Sequence, residues 1–401
     1  MVTIDEARRI ILLQAQRLPV VTVPLLESLG MVLVDNVRSP WDIPAADNSA
    51  MDGYAFSHNS LRGLSLPVCG FLPAGTIRTA PVPPGQAIKI MTGAIIPSDC
   101  DTVVAIEDVL ETPEGIHLKG VSEPGSHVRK RGGDVGTDEL VFTAGTLIRP
   151  QEVGMLASFG STEVSVYRKP VVAILATGDE LVEPGGERLP GKIINSNSLS
   201  VAAQVVEAGG IPVLLGIARD NREVTRDMLQ KGLTADVIIT SGGVSVGDHD
   251  FVKEVIEEMG GELKFWKINM KPGKPLAFAV VADKPLFALP GNPVAAMVGF
   301  EMFVRPALLA MMGHTRIIRP LVRAVVTEPI RNKGDRPHLI RTQVELKSGR
   351  YHLKTTGDQG SARLSSLTLG NALILVPAGA AINVGDEVDA SLLDRSFEML
   401  E

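Results

Sequence analysis

The chain has 401 residues, 45% of them hydrophobic and 21% charged, a globular mix that suggests roughly two to four domains. Its net charge of −7 excludes a general nucleic-acid binder, which needs a basic surface to displace counterions, but not a small anion in a locally basic pocket. The two cysteines, Cys69 and Cys100, form no CxxC pair, which excludes a disulfide framework or zinc ribbon; both are expected to be buried and reduced.

The opening TIDEARRIILLQAQRLP predicts a helix. Thr3 and Glu6 have capping-box spacing, Ile4, Ala7, Ile10 and Ile11 fall near helical spacing, and Pro19 marks the stop. A short helix is expected over residues 24–29, then a strand over MVLVDNV. Residues 41–134 are rich in proline and glycine with short β-rich runs, the texture of a small all-β module. From 170 to 312 the pattern changes to apolar strands alternating with helices, which predicts a mostly parallel sheet covered on both faces. Within it, ELKFWKINM is expected as a strand and residues 293–313 as one long helix. Residues 316–401 return to alternating β texture and suggest a small barrel or sandwich.

No basic segment followed by an apolar one opens the chain, so no secretory signal is expected. The most apolar stretch, 294–312, is interrupted by Glu301, Arg305 and Pro306 and falls short of a ~20-residue membrane span. The expectation is a cytoplasmic protein that engages neither membrane nor nucleic acid.

Four motifs lie in the α/β region. TGDEL (177–181) follows an apolar strand, where open α/β sheets bind ligands, and offers Asp179 and Glu180. SGGVSVGDHD (241–250) has three glycines in six positions, so its backbone can approach a ligand closely. Gly242, Gly243 and Ser245 would form that approach, and Asp248 and Asp250 would face a cation beside bound phosphate, or cap the following helix. FWKINMKPGKP (265–275) carries Lys267, Lys271 and Lys274. In a strand, Lys267 and Lys271 share one face, a cluster suited to a polyanion. LPGNPVA (289–295) fixes a loop through Pro290 and Pro293. In the β-rich region, Asp52–Gly53, Thr92–Gly93 and Asp134 lie in glycine turns, and each is weak evidence alone.

Taken together and in order, NSAMDGYA, MTGAIIP, ATGDELVEPG, INSNS, TSGGVSVGDHD, FWKINMKPGKP, ALPGNPVAA and GSARLSSL resemble the molybdopterin molybdenumtransferase (MoeA-type) family, to which the gephyrin E domain also belongs. The resemblance implies a multidomain α/β plus β fold. Its parts would be an elongated mixed domain (1–40 with 135–168), a β-rich inserted domain (41–134), a MogA/MoaB-like doubly wound α/β domain (169–315) and a C-terminal β-barrel (316–401). It implies a homodimer whose cleft joins the α/β domain of one subunit to the second domain of the other. It also implies insertion of molybdenum into adenylated molybdopterin with release of AMP, tungstate being an alternative to molybdate.

In that frame Glu180, Asp220 and Asp250 are assigned to Mg²⁺ and substrate, with Asp179 and Asp248 beside them. Lys267 and Lys271 are assigned to phosphate or molybdate, and Lys274 supports them. Gly242, Gly243, Ser245, Pro290 and Pro293 line the molybdopterin site. Asp52, Thr92 and Asp134 complete it from the partner subunit, and Ser361, Ser365 and Ser366 contribute from the C-terminal domain. His249, Phe251 and the RGGDV stretch depart from the family's commonest pattern, and His249 is read as a surface or supporting group. A molybdopterin adenylyltransferase and apo-molybdoenzymes are the expected partners. The alternatives are adenylylation of molybdopterin itself, or a receptor-binding scaffold like the gephyrin E domain.

Overall fold

Apolar strands and amphipathic helices alternate from residue 171 because each buries its hydrophobic face against the other. The computed structural model describes residues 1–187, 189–243 and 251–393. Their contacts define two compact units: one of Met1–Val34, Leu147–Arg149 and the chain from Glu163, the other of Asp35–Thr146 and Pro150–Thr162.

The first unit contains a six-stranded sheet. Its strands are β1 (Val171–Thr177), β2 (Ile211–Ala218), β3 (Val237–Ser241), β4 (Glu262–Phe265), β5 (Ala277–Val281) and β6 (Lys284–Leu289). The order is β2-β1-β3-β6-β5-β4. The first four are parallel, β5 pairs antiparallel with β6, and β4 pairs antiparallel with β5. Helices α1 (Asn197–Glu207), α2 (Arg222–Gly232) and α3 (Phe251–Glu258) connect them. Val172 to Ala176 of β1 are at most 1% exposed, as expected of a strand covered on both faces. Val172, Ile174, Ile239 and Phe287 pack on one side with Val201 of α1. Leu175, Ile238 and Leu286 pack on the other with Leu229 of α2 and Val252 of α3. The chain leaves β1 towards β2 on one side and returns to β3 on the other. The crevice beyond the carboxyl ends of β1 and β3 is therefore a switch point, where open α/β sheets take ligands.

The long helix predicted after β6 is continuous but changes pitch. Pro293–Gly299 and Arg305–Met311 are α-helical, and Phe300–Val304 between them is a π-turn. Pro306 cannot donate an amide hydrogen there, and a π-turn is one way to accommodate the missing bond. By length and composition Pro293–Met311 is apolar enough to cross a membrane, contrary to the expectation from its charged residues. In this fold 72% of its most apolar window is buried, so it serves as a core helix. The N-terminal helix Ile4–Gln14 has the expected capping box and packs Ile4, Ala7 and Ile11 into the same core.

The C-terminal strands are β7 (Leu321–Val326), β8 (His338–Lys347), β9 (Arg350–Thr355), β10 (Ala372–Val376) and β11 (Glu387–Leu392). They close into a barrel in the order β7-β9-β8-β10-β11, filled by Ala324, Ile340, Val344, Leu353 and Ile374. The architecture agrees with the multidomain α/β plus β expectation.

In the second unit, Val68–Leu72, Ala87–Ile90, Gly53–Phe56 and Thr102–Ala105 form one sheet in that order. A Cβ at position 53 would collide with the Val104 carbonyl oxygen, so a glycine is required where Asp52 meets the strand.

Four local expectations differ from the structure. Residues 24–29 form a 3₁₀ helix (Leu25–Ser28), and MVLVDNV makes isolated bridges at Val32 and Leu33 and supplies only the first residue of the strand Val37–Arg38. Strand β4 stops at Phe265, so Lys267 and Lys271 do not share a strand face. Beyond it the backbone pairs elsewhere, Ile268 with Val2 and Lys271 with His338. Cys69 is half-buried and only Cys100 is buried, both as free thiols; burial pushes the Cys100 thiol up to about 12.

Candidate functional site

A cavity of about 660 Å³ opens at the switch point. Thr177, Gly178 and Glu180 enter it from the end of β1, Asp220 from the β2–α2 turn, and Ser241, Gly242 and Gly243 from the end of β3. Pro290 and Pro293 close it between β6 and the long helix.

The glycines are required by contact. Gly242 and Gly243 have φ of +95° and +66°, a region that disfavours side chains. A Cβ on Gly242 would lie 2.7 Å from the Thr177 carbonyl oxygen, and one on Gly243 would lie 2.6 Å from Val252 Cγ2. A Cβ on Gly178 would meet the Glu180 carboxylate, which folds back over it. The floor is thus bare backbone, with Thr177 Oγ1 buried beneath it and without a partner among the described residues.

Asp179 and Asp220 brace the acidic side. Asp220 N donates to Asp179 Oδ1 at 3.2 Å, and Asp179 N donates to Asp220 Oδ2 at 3.3 Å. Arg219 donates to the carbonyl oxygens of Asp179 and Leu181, both at 3.0 Å, and Lys192 donates to the Asp179 carbonyl at 2.7 Å. Asp179 therefore ties two loops together, while Glu180 and Asp220 are exposed on the cavity. The neutral side is held by Asn197, which donates to Ser241 Oγ and to the Gly291 carbonyl, each at 2.8 Å. Asn292 Nδ2 donates to Ser361 Oγ at 3.1 Å, which sets Ser361 next to the lining residue Ala362.

The fold thus gathers Glu180, Asp220, Gly242, Gly243, Pro290 and Pro293 around one cavity, with Ser361 adjoining. Ser245, Asp248, His249 and Asp250 lie outside the described residues. Lys267 is half-buried, Lys271 and Lys274 are exposed, and none of the three lines the cavity, although Pro275 does. Ser365 is exposed. Ser366 is 1% exposed; it donates to the Arg363 carbonyl at 2.7 Å and accepts from Arg341 Nε at 3.1 Å. It is a support and not an open contact.

Arg341 was not anticipated from sequence. Its residue is fully buried. Nε binds Ser366, Nη2 donates to the Gly360 carbonyl at 3.2 Å, and Nη1 has no partner among the described residues. No ion pair involves it among the described residues. Burial pulls its guanidinium down to about 10, with Asp358 opposing. The available signal was an arginine directly after the apolar pair Leu339–Ile340 in RPHLIRTQV.

In the second unit Asp52 and Thr92 do meet. Asp52 Oδ1 accepts from Thr92 N and Thr92 Oγ1, both at 2.7 Å, and these bonds hold its carboxyl below the usual range. Asp134 is exposed, its backbone N–H donating to the Ile43 carbonyl at 3.0 Å. The preceding basic turn is tied down by Lys130–Asp47 and Arg131–Asp42 ion pairs.

Among the described residues no three His, Cys, Asp or Glu side chains cluster as a ready metal site. Glu180 and Asp220 still suit Mg²⁺, which takes one or two carboxylates and fills its shell with water and substrate phosphate.

Three family models cover most of the chain: the MoeA N-terminal region (domains I and II) over residues 2–160, a probable molybdopterin binding domain over 173–310, and the MoeA C-terminal region (domain IV) over 323–393. A molybdopterin molybdenumtransferase from Nostoc sp. is 35% identical over 90% of this chain and 85% of its own. One from Haemophilus influenzae is 34% identical over 94% of both. The chain belongs to the molybdopterin molybdenumtransferase family. A crystal structure of a molybdopterin biosynthesis MoeA protein from Pyrococcus horikoshii superposes with a TM-score of 0.82 at 29% identity, covering 98% of this chain and 100% of that one. The match to the probable molybdopterin binding domain, 173–310, runs from β1 to the long helix and so includes nearly every residue that lines the cavity.

Proposed function

We propose that this protein inserts molybdenum into molybdopterin, taking adenylated molybdopterin and molybdate and releasing AMP. The observation that carries this reading is the cavity at the switch point, where a glycine floor, a neutral amide and hydroxyl side and two exposed carboxylates converge. Bare backbone at Gly242 and Gly243 admits a flat ligand closely, and Asn197 and Ser241 offer it hydrogen bonds. Fixing two reactants in one cavity removes much of the entropic barrier to their meeting. Glu180 and Asp220, with Asp250, would hold Mg²⁺, which would neutralise phosphate charge as the anhydride is cleaved. Lys271 and Arg341 are suited to the molybdate oxyanion: one is an exposed ammonium, the other a buried guanidinium with a free Nη1, and neither has a carboxylate bound to it among the described residues. A homodimer in which Asp52 and Thr92 serve the partner's cavity is part of this proposal, as is a molybdopterin adenylyltransferase that supplies the substrate.

Reconstitution tests it. The protein, adenylated molybdopterin, Mg²⁺ and molybdate should release AMP and activate an apo-molybdoenzyme. ATP consumption with molybdopterin, and no molybdate-dependent AMP release, would overturn it in favour of the adenylylating activity.

A further inference from the structure

His338 opens strand β8. It is 5% exposed, and its Nε2 is buried without a hydrogen-bond partner among the described residues. Leaving such a nitrogen unpaired costs free energy, which suggests that a group absent from the folded chain satisfies it. Its neighbour is Lys271. Lys271 N donates to the Pro337 carbonyl at 2.8 Å, and Leu339 N donates to the Lys271 carbonyl at 2.7 Å. These two bonds form a parallel bridge between Lys271 and His338. Residues paired across a bridge project their side chains to the same face. The exposed lysine thus stands beside the imidazole and makes no ion pair among the described residues. The charged groups that act on His338 are Lys271 and Arg341, both cationic, and with burial they push it down to about 4. The position beside the lysine is therefore filled by a polar but uncharged group.

We propose that His338 is a positioning residue for a tetrahedral oxyanion held at Lys271: it keeps the ammonium free of a competing carboxylate and donates Nε2–H to the anion. The inference rests on the placement of oxyanion at Lys271 made above. It adds a specific neighbour that selects for an anion.

Equilibrium dialysis of the full-length protein against molybdate, and separately sulfate and inorganic phosphate, tests it without turnover. His338→Leu keeps the packing and removes the donor, and should weaken molybdate about tenfold, as expected for one hydrogen bond to a charged group. His338→Gln restores a neutral donor and should bind within about threefold of wild type. His338→Glu sets a carboxylate beside Lys271 and should weaken binding at least as much as His338→Leu. Thermal melts identify any variant that fails to fold, and the Leu and Gln pair decides the matter if the Glu variant does. Lys271→Ala separates the two readings. If it weakens binding while His338→Leu binds like wild type, the role of His338 is overturned and the lysine site stands. If Lys271→Ala itself binds like wild type, the oxyanion placement fails and this proposal with it. Loss of all three anions in His338→Leu would mark a general oxyanion site, and loss of molybdate alone a site for the metal oxyanion; both support the proposal.

Discussion

Gly242 and Gly243 show how a single side chain can close this site. Gly242→Ala would put a methyl group 2.8 Å from Thr177 Oγ1, and Gly243→Ala one 2.9 Å from the same atom. With positive φ at both positions, each variant should cost about 1–3 kcal/mol of stability, and turnover should fall further than that loss explains. Urea unfolding and AMP release, measured on the same samples, compare the two effects. Arg341 invites the opposite outcome. A buried guanidinium without a carboxylate carries a desolvation cost that methionine does not. Arg341→Met should therefore hold stability within about 1 kcal/mol of wild type while raising the molybdate concentration for half-maximal activity at least tenfold. A large stability loss with unchanged molybdate dependence would make Arg341 a structural residue only.

At the scale of elements, legibility followed burial. Strand β1 reads as VVAILAT because both its faces are covered, and the Thr3–Glu6 capping box is local, so both were visible in the sequence. The glycine floor was visible for a related reason: few other uses require paired glycines directly after an apolar strand. The lysine cluster was misread because strand periodicity was carried past Phe265. There Ile268 and Lys271 leave the sheet to pair with Val2 and His338, residues remote in sequence. Arg341 and Ser366 were illegible as a pair for the same reason, since only the barrel brings them together. The basic turn of the second unit illustrates a further long-range contact. Asp42 accepts from Thr137 N and Oγ1 at 2.7 and 2.8 Å and also binds Arg131. These bonds hold its carboxyl down at about 2. A depressed carboxylate stabilises the fold above its unfolded value and loses that contribution as pH falls through the folded one. The urea midpoint should therefore drop as pH is lowered from about 4 to about 2. Asp42→Asn should be less stable at pH 7 and show a shallower drop; a slope identical to wild type would remove Asp42 from the acid response.

At the scale of the whole molecule, the proposed homodimer makes a prediction that single-chain kinetics cannot. Asp52→Ala and Asp220→Ala should each be inactive, one lacking a second-unit carboxylate and the other a cavity carboxylate. If each cavity is served by the Asp52 of the partner subunit, a mixed dimer has one cavity missing both carboxylates and one missing neither. Random reassortment of an equimolar mixture makes about half the dimers mixed, each with one intact site, so about a quarter of wild-type activity should return. If each chain instead serves its own cavity, every site in every dimer lacks one carboxylate and nothing returns. Mixing the variants, dissociating and reassociating them, and measuring AMP release therefore distinguishes a shared site from a self-contained one. The same mixture of Asp220→Ala with Glu180→Ala is the internal control. Both carboxylates line one cavity in one unit, so under either arrangement of Asp52 one cavity of the mixed dimer lacks Glu180 and the other lacks Asp220. No recovery is expected, since neither subunit then carries a complete cavity.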